Sequence, residues 1–297
     1  MRIALVSSSN DWIGEADDQP LQDHLCSLGA TVCKPAWDDV SIDWAGMDLC
    51  LLRTTWDYHE RRDEFLRWAK EVSELSELHN PLRVIEWNSI KTYLRDLQTM
   101  GLPVAPTLWL ERGAEVDLRE MLGGQTWDRG FLKPEVGACA SQTLPFQMNP
   151  EGIARAQAHL EQELPTAGFL IQPFLESVGV EGEYSVIFIE GDLTHCVRKI
   201  PVPGDYRVMD EYGATDTLAT LSPEELTLAR RVYEACEQRF DLSAALLYCR
   251  VDFLRDSAGA LVINEVELVE PSLFFRHCEA SAVRLAERLV RRVEAED

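Results

Sequence analysis

Two apolar runs joined by a short polar turn, between residues 246 and 271, constrain the fold of this chain more than any other stretch. The segment reads LLYCRVDFLRDSAGALVINEVELVEP. The turn DSAG is typical of connections between antiparallel strands, and both flanks are rich in β-branched and apolar residues. The pattern therefore predicts a β-hairpin.

The predicted hairpin gathers charged side chains on one of its faces. With the turn centred between residues 257 and 258, Arg250 lies opposite Glu265. Asp252 then lies opposite Ile263. Because side chains alternate between the two faces of a strand, one face carries a charged set. Its members are Arg250, Asp252, Glu265 and Glu267.

Three neighbouring carboxylates repel one another, and the pKa of each rises unless a cation binds the set. Oxygen ligands of this kind suit Mg²⁺ or Mn²⁺, and Mg²⁺ in proteins normally also binds phosphate oxygens of a nucleotide. The alternative is a solvated surface hairpin, in which alternating charges are common. We favour the metal site because the opposite face, with Cys249, Val251 and Phe253, is apolar.

The motif RVD followed by NEVE, at residues 250–252 and 264–267, resembles the metal-binding end of the ATP-grasp ligases. The resemblance is to the branch that contains glutathione synthetase and D-alanine–D-alanine ligase. In that family an Asp, a Glu and usually an Asn hold two Mg²⁺ ions that bridge the ATP phosphates. The implied ligands are Asp252, Glu265 and Glu267. Glu267 stands where the family more often has Asn, which suggests a separate sub-branch.

Two lysines extend the resemblance. Lys91 lies ahead of GLPVAPT, residues 101–107, and corresponds to a family lysine that reaches an ATP phosphate. A helix is predicted from Asn88, its N-cap, to Gly101, with GLPVAPT as the strand that follows. Lys133 ends the predicted strand FLKP, and the small residues after it can approach phosphate closely. The implied phosphate site consists of Lys91, Lys133, Gly137 and Ser141.

The middle of the chain resembles the part of the family that holds the nucleoside. The segment FLIQPFL, residues 169–175, resembles the hinge whose backbone reads the adenine edge. Glu183 corresponds to the carboxylate that binds the ribose hydroxyls, with Glu176 as the alternative. Arg207 lies in a loop that, in the family, supplies an Arg to the phosphates and closes over the reactants. The implied hinge residues are Gln172, Pro173, Phe174 and Leu175.

Strands that alternate with helices before residue 80 predict a small parallel α/β domain. Ligands bind beyond the carboxyl ends of parallel strands, so residues 7–11 and 53–58 are candidate substrate loops. Arg53 is suited to pairing with a carboxylate, Trp56 to lining a pocket and Asp57 to binding an amine. The alternative, that Trp56 is a packing residue, stays open. With the position of the family's substrate-facing loop added, the candidate substrate residues are Ser7, Asn10, Arg53, Thr54, Trp56, Asp57 and Ser272.

The resemblance covers nearly the whole chain and implies the ATP-grasp fold, an α/β architecture with α+β elements. We expect an N-terminal parallel α/β domain over residues 1–104, a central lid subdomain over 105–178 and a C-terminal metal-binding subdomain over 179–297. The last two would hold ATP between two antiparallel sheets.

Composition limits the partners and the compartment. The chain has 297 residues, of which 46% are hydrophobic, and a net charge of −23. This charge argues against nucleic acids and anionic membranes as partners, because both reward basic patches. Eight cysteines without disulfide or zinc spacing, and an N-terminus that reads as a strand, predict a cytoplasmic protein. Dimers are frequent in the superfamily, so a homodimer is a further expectation.

The resemblance implies an ATP-dependent ligase that joins a small-molecule carboxylate to an amine. The carboxylate attacks the γ-phosphate of ATP, giving an acyl phosphate and ADP, and the amine then attacks the acyl carbon. Arg250 would stabilise the oxyanion, while Arg207 and the two lysines would bind phosphate. RTTWDY and ELVEPSLFF, residues 53–58 and 267–275, resemble the sub-branch that forms D-cycloserine by ring closure in O-ureido-D-serine. The alternatives are a kinase or phosphotransferase of the same fold and a nucleotide-binding module without catalysis.

Overall fold

A parallel sheet forms the front of the chain in the computed structural model, which describes residues 1–9, 15–240 and 245–296. Its strands are β1 (Arg2–Ser7), β2 (Thr31–Cys33), β3 (Leu49–Thr54) and β4 (Glu77–His79), in the order β2-β1-β3-β4. Each neighbouring pair is parallel. Helices α1 (Glu15–Ser27) and α2 (Arg62–Leu75) connect the strands. The predicted parallel α/β unit is confirmed.

Two short helices follow where one helix from Asn88 to Gly101 is predicted. Helix α3 (Leu82–Asn88) ends at the residue expected as an N-cap, and α4 (Tyr93–Thr99) begins after a break that contains Lys91. The Asn88 amide instead pairs with a distant strand. Its Nδ2 donates to Val266 O at 2.7 Å, and its Oδ1 accepts from Leu268 N at 2.6 Å. An amide that satisfies these buried backbone groups cannot also cap a helix.

The central sheet is antiparallel throughout. Its strands are β5 (Leu108–Leu110), β6 (Arg129–Pro134), β7 (Leu144–Gln147) and β8 (Phe169–Pro173), in the order β5-β8-β6-β7. Helices α5 (Leu118–Leu122) and α6 (Pro150–Glu163) cover it. Residues 101–107, predicted as a strand, form only an isolated bridge between Val104 and Ile263. Pro103 and Pro106 lack the backbone N–H that a ladder requires.

The C-terminal sheet is also antiparallel and has the order β11-β10-β9-β12-β13. After α7 (Ser177–Val180), its strands are β9 (Glu183–Ile189), β10 (Asp192–Ile200), β11 (Thr215–Leu218), β12 (Tyr248–Arg255) and β13 (Leu261–Glu267). Helix α8 (Pro223–Phe240) precedes β12, and α9 (Glu279–Glu296) ends the described chain. Two antiparallel sheets are therefore confirmed. Among the described residues, no helix has the length and apolar character that a bilayer crossing requires.

Helix α9 joins the front unit to the C-terminal sheet. Apolar residues three and four positions apart give it one buried face, which includes Leu285 and Leu289. This face packs in one cluster with Leu21 of α1 and with Ile187 of β9. The opposite face of the sheet is covered by α8, where Tyr233 stacks on Phe188 with ring centroids 4.9 Å apart. The C-terminal sheet is thus buried on both faces.

The hairpin of β12 and β13 is confirmed, but its predicted register is wrong. Asp252 pairs with Glu265, not with Ile263, and Arg250 pairs with Glu267. A bulge at Asn264 shifts the ladder between these pairs and the turn. The turn itself is longer than two residues, because Asp256 N donates to Ala260 O at 2.9 Å and Asp256 Oδ1 accepts from Ala260 N.

Candidate active site

The central and C-terminal sheets meet at a set of charged side chains. Lys133, near the end of β6, donates to Asn264 Oδ1 at 3.1 Å. Its Nζ also lies 3.8 Å from Glu265 Oε1, and Lys91 Nζ lies 3.5 Å from the same oxygen. The bulge in β13 exposes Asn264 to this lysine, so a local irregularity of the hairpin helps to form the site.

Burial and neighbouring charges shift the pKa values of these groups in opposite directions. Burial lowers the pKa of Lys133, which is only 3% exposed, although Glu265 opposes this effect. At Glu265, burial raises the pKa, but the charges of Lys91 and Lys133 outweigh it and leave the pKa lowered. Both lysines are therefore held close to a carboxylate that stays ionised.

Asp252 is the most strongly bound carboxylate of the hairpin. Arg250 donates to its two oxygens at 3.0 Å and 2.8 Å, and Ser185 Oγ donates to Oδ1 at 2.6 Å. Lys199 Nζ lies 3.5 Å away. Burial alone would raise the pKa of Asp252, but Arg250 and Lys199 lower it. Arg250 also pairs with Glu267, whose pKa is raised by burial despite that contact.

Glu183 lies in the same network on the neighbouring strand β9. It pairs with Lys199, and its Oε2 accepts a hydrogen bond from Asn264 Nδ2 at 2.6 Å. Burial raises the pKa of Glu183, and Lys199 opposes that effect. The predicted ribose ligand therefore lies beside the predicted metal ligands, while its alternative, Glu176, is exposed and pairs with Arg129 at 3.0 Å.

The donor chemistry of the hairpin suits a hard cation such as Mg²⁺, because all three predicted ligands are carboxylates on paired strands. Each of them is bound to a cationic side chain in the structure. Within the described residues, no three acidic, histidine or cysteine side chains form a group that could hold a metal ion. Metal binding at Asp252, Glu265 and Glu267 therefore requires these ion pairs to exchange.

The predicted phosphate loop after β6 has a compact backbone. Cys139, Ala140 and Gln142 adopt positive φ angles of 51°, 55° and 57°, which are uncommon for residues other than glycine. Gly137 has no room for a side chain, since an added Cβ would lie 2.8 Å from Pro134 Cγ. The carbonyl oxygen of Gly137 accepts a hydrogen bond from Lys91 Nζ at 2.7 Å. The two predicted phosphate elements are thus in direct contact.

A loop between β10 and β11 covers the phosphate loop. Its Tyr206 packs against Phe131 and Phe174, with ring centroids 5.3 Å and 6.1 Å apart, and hydrogen-bonds Thr143 at 2.7 Å. Tyr212 donates to the carbonyl oxygen of Cys139 at 3.2 Å. The loop therefore lies against the central sheet.

Arg207 in this loop is half-buried, and its side chain is held within the loop. Nη2 donates to Asp205 Oδ2 at 2.7 Å, and the guanidinium carbon lies 3.9 Å from the centroid of the Tyr212 ring. Its hydrogen bond with Asp205 raises the pKa of Arg207. To reach a phosphate, Arg207 must leave Asp205, and its catalytic role stays a prediction.

The predicted hinge consists of the end of β8, an interior strand of the central sheet, and the residues that follow it. Gln172 is buried and donates to Thr107 Oγ1 at 2.8 Å. Phe174 N donates to Arg129 O at 2.9 Å, and the Arg129 guanidinium stacks on the Phe174 ring. Pro173 ends the strand, and Leu175 packs in a small cluster beside it. Adenine recognition by this segment remains a prediction.

Arg53 occupies a structural position rather than an open substrate loop. It is 1% exposed, and Nη2 donates to Asp18 Oδ1 at 2.9 Å and to Pro271 O at 3.0 Å. The carboxylate expected to pair with Arg53 is therefore supplied by helix α1. Thr54 is buried next to it.

The other candidate substrate residues divide into two groups. Asp57 accepts a hydrogen bond from Trp37 Nε1 at 2.8 Å, and Ser7 donates to Pro35 O, so both have partners within the front unit. Trp56 and Ser272 instead border the hairpin site. Trp56 Nε1 donates to Glu270 O at 2.9 Å, and Ser272 O accepts from Arg250 at 3.1 Å. Asn10 lies outside the described residues.

Three side chains near the predicted ligands are absent from the predicted site. Lys199 pairs with Glu183 and Asp252, and Asn264 bridges Lys133 and Glu183. Alternation of side chains along β10 could have indicated Lys199, and the NEVE motif contains Asn264. Glu270 had no such signal, because it lies in the irregular segment that follows the hairpin.

Comparison with known proteins places this geometry in context. Residues 3–80 match the family described as the N-terminal domain of D-cycloserine synthetase DcsG. The chain is 28% identical over 301 residues to the cycloserine biosynthesis protein DcsG of Streptomyces lavendulae, with 98% of this chain and 99% of that protein covered.

Solved structures agree with this similarity. The crystal structure of D-cycloserine synthetase DcsG superposes with a TM-score of 0.90 at 26% identity, covering 99% of this chain and all of that one (100%). The Bacillus anthracis D-alanine–D-alanine ligase, solved with ATP, superposes with a TM-score of 0.68 at 14% identity over 100% of both chains. The ATP-grasp ligase PsnB also superposes, with a TM-score of 0.61 at 15% identity. The comparisons support an ATP-dependent ligase, and the chain is a homologue of D-cycloserine synthetase DcsG with the fold of the ATP-grasp ligases.

Proposed function

We propose that this chain is an ATP-dependent ligase that joins a carboxylate to an amine through an acyl phosphate and releases ADP and phosphate. The observation that carries the proposal is the convergence of Lys91, Lys133 and the hairpin carboxylates between two antiparallel sheets. The full-length similarity to a D-cycloserine synthetase supports the ligase class.

The two lysines and Arg207 are suited to holding the phosphates. Lys133 is buried at the contact between the sheets, and Lys91 binds both Glu265 and the phosphate loop. Cations fixed in such a position stabilise the negative charge of a transferring phosphoryl group without reorganising. Arg207 would join them by exchanging Asp205 for phosphate. The backbone N–H of Gly137 would complete the cradle. The N–H of Ser141 donates to Ala138 O at 3.0 Å and would have to leave that oxygen to join it.

Asp252, Glu265 and Glu267 are the proposed Mg²⁺ ligands, and Glu183 the proposed ribose ligand. Mg²⁺, when bound, would neutralise charge on the phosphoryl group. Release of Arg250 from Asp252 and Glu267 would free its guanidinium near Ser272, at the start of the substrate-facing loop. There it is suited to stabilising the oxyanion that forms when the amine attacks the acyl carbon.

The substrate is proposed to be a small amino-acid derivative that contains both reacting groups, so that ligation closes a ring, as in D-cycloserine formation. The support is the similarity to D-cycloserine synthetase, which extends over both the front unit and the hairpin. Arg53 holds the substrate-facing loop through Pro271 O, so its proposed contribution to substrate binding is indirect. The alternative is a phosphotransferase that stops after phosphoryl transfer.

Domain limits and cellular setting are also proposed. The three sheets occupy residues 2–79, 108–173 and 183–267, which supports subdomains at 1–104, 105–178 and 179–297. All eight cysteines are free, which supports a reducing cytoplasmic compartment. A homodimer is proposed from its frequency in the superfamily alone.

Product analysis tests the proposed function. The purified protein is incubated with ATP, Mg²⁺ and O-ureido-D-serine, and products are read by mass spectrometry. The expected products are ADP, phosphate and D-cycloserine, with carbon dioxide and ammonia from hydrolysis of the carbamoyl group that ring closure leaves on the ring nitrogen. AMP and pyrophosphate would refute the acyl-phosphate mechanism. ADP together with a stable phosphorylated substrate would favour the phosphotransferase instead.

A further inference from the structure

Glu270 is a carboxylate that the proposed phosphate chemistry does not use. It is half-buried in the segment that follows β13. Burial raises its pKa well above the ordinary value, Glu267 adds to this effect, and Lys91 and Arg250 oppose it. Burial and nearby carboxylates including Glu270 likewise raise the pKa of Cys139 to about 12. In the chain, Glu270 follows Glu267, the last residue of β13, by three positions.

The backbone around Glu270 is held by side chains from two parts of the chain. Trp56 Nε1 donates to the Glu270 carbonyl oxygen at 2.9 Å. Arg53 Nη2 donates to the next carbonyl, Pro271 O, at 3.0 Å, and Arg250 Nη1 donates to Ser272 O at 3.1 Å. Three consecutive carbonyls are thus fixed by three side chains. A side chain on so constrained a segment is well placed to orient a ligand.

Among the described residues, Glu270 has no cationic partner, unlike the other carboxylates near the hairpin. The hairpin carboxylates and Glu183 each form an ion pair with a lysine or arginine of the site. Within the described part of the chain, the Glu270 carboxylate receives no hydrogen bond from another residue and forms no ion pair. The paired carboxylates are Glu183, Asp252, Glu265 and Glu267, and their cations are Lys91, Lys133, Lys199 and Arg250. A cationic group of a ligand would complete the pairing.

We propose that Glu270 binds the α-ammonium group of the amino-acid substrate and so orients its carboxylate toward the phosphate. The inference rests on the proposed function and specifies its substrate class: a carboxylate that also carries a free ammonium group. In D-cycloserine the α-amino group lies outside the ring, so ring closure leaves it available for this contact. Glu270 is then a substrate-binding residue and takes no part in bond making.

Equilibrium binding with a matched pair of ligands tests this assignment without requiring turnover. O-Ureido-D-serine and its desamino counterpart, 3-(ureidooxy)propanoate, are titrated calorimetrically into the protein with Mg²⁺ and a non-hydrolysable ATP analogue. The wild type is expected to bind the ammonium-bearing compound about 30-fold or more tightly, since an ion pair shielded from water has this effect or a larger one. In Glu270→Gln that preference should be lost, while Glu270→Asp should retain part of it.

Glu234→Gln, on the exposed side of α8, serves as the control and should keep the wild-type preference. A Glu270→Gln variant that keeps the full preference, or a wild type without one, would overturn the assignment. Equal weakening of both ligands, with weaker nucleotide binding, would overturn it in favour of a metal ligand. If the protein forms D-cycloserine and Glu270→Gln keeps the wild-type ligand preference, only this inference would be refuted. An ammonium preference that depends on Glu270, without ring closure, would refute only the proposed reaction.

Discussion

The ion pair between Arg53 and Asp18 is closed off from water, with 2% and 5% of the two side chains exposed. Burial raises the pKa of Asp18 even though Arg53 opposes it, so this carboxylate depends on its partner. Such a pair contributes little to the free energy of folding compared with apolar residues of the same size. Removing one partner, however, leaves an uncompensated charge in the interior.

Arg53→Met is therefore expected to lower the free energy of unfolding by about 3–5 kcal/mol. Chemical denaturation measures the change. The double variant Arg53→Met with Asp18→Leu serves as the control and should recover most of the loss, because it leaves no unpaired charge. A stable single variant with a raised KM for the amino-acid substrate would instead support direct substrate binding by Arg53.

Asp252→Asn is expected to lower kcat at least about 100-fold, since the variant loses the charge of a proposed metal ligand and frees Arg250. Because Arg250 and Lys199 lose their shared partner, stability should also fall. Steady-state kinetics at saturating Mg²⁺ and circular dichroism separate the two effects. Asp192→Asn, at an exposed site, is the control. Wild-type turnover in Asp252→Asn would refute the metal-site assignment.

How far residues can be read from sequence depends on how local their partners are. Asp252 and Glu267 share a hairpin face because alternation along two adjacent strands puts them there. The partner of Arg53 lies 35 positions away on a helix, and no spacing rule connects the two. Glu270 was missed for the same reason, because its environment is formed by distant segments.

At the scale of elements, the hairpin was predictable and its register was not. Apolar alternation and the turn DSAG specify two strands, but the side chain of Asp256 closes a wider turn by accepting hydrogen bonds from two backbone N–H groups. The bulge at Asn264 then restores the charged face. The break between α3 and α4 escaped prediction similarly, because Asn88 forms its hydrogen bonds with β13.

The loop that carries Arg207 is expected to depend on Tyr206. Tyr206→Ala removes two aromatic contacts, worth about 1–3 kcal/mol together, so KM for ATP should rise about 10-fold. Kinetics at varied ATP concentration and limited proteolysis of residues 201–214 measure the effect. Tyr206→Phe keeps both ring contacts, and loses only the hydrogen bond with Thr143, so it should change little. Unchanged KM in Tyr206→Ala would show that the docked loop does not contribute to ATP binding.

At the scale of the whole molecule, alternating strands and helices predicted the parallel sheet, and the resemblance to the ATP-grasp ligases implied the two antiparallel sheets. The structure has all three. Consecutive strands such as β9 and β10, or β12 and β13, pair directly, and this local pairing is the part of the sheet order that the sequence specifies best. The packing of α9 against α1 was not predictable, because two amphipathic faces with similar patterns do not specify which surfaces meet.

Nucleotide binding between the sheets should stabilise the whole chain. At ATP-analogue and Mg²⁺ concentrations about 100 times Kd, the free energy of unfolding should rise by about 2.7 kcal/mol. Thermal unfolding with and without ligand measures this. Lys133→Met should lose most of the stabilisation, whereas Lys70→Met, on the exposed side of α2, should keep it. A ligand-independent melting temperature in the wild type would count against a nucleotide site.

The hydrogen bonds from Arg53 and Trp56 to the segment after β13 join positions 218 and 214 residues apart. The N-terminal unit thus shapes the loop that is proposed to face the substrate. An exchange of either unit with that of a relative would bring a mismatched surface to this junction. Recombination between such enzymes should then yield active chimaeras only when both segments come from the same parent. These segments are RTTWDY, residues 53–58, and EPS, residues 270–272.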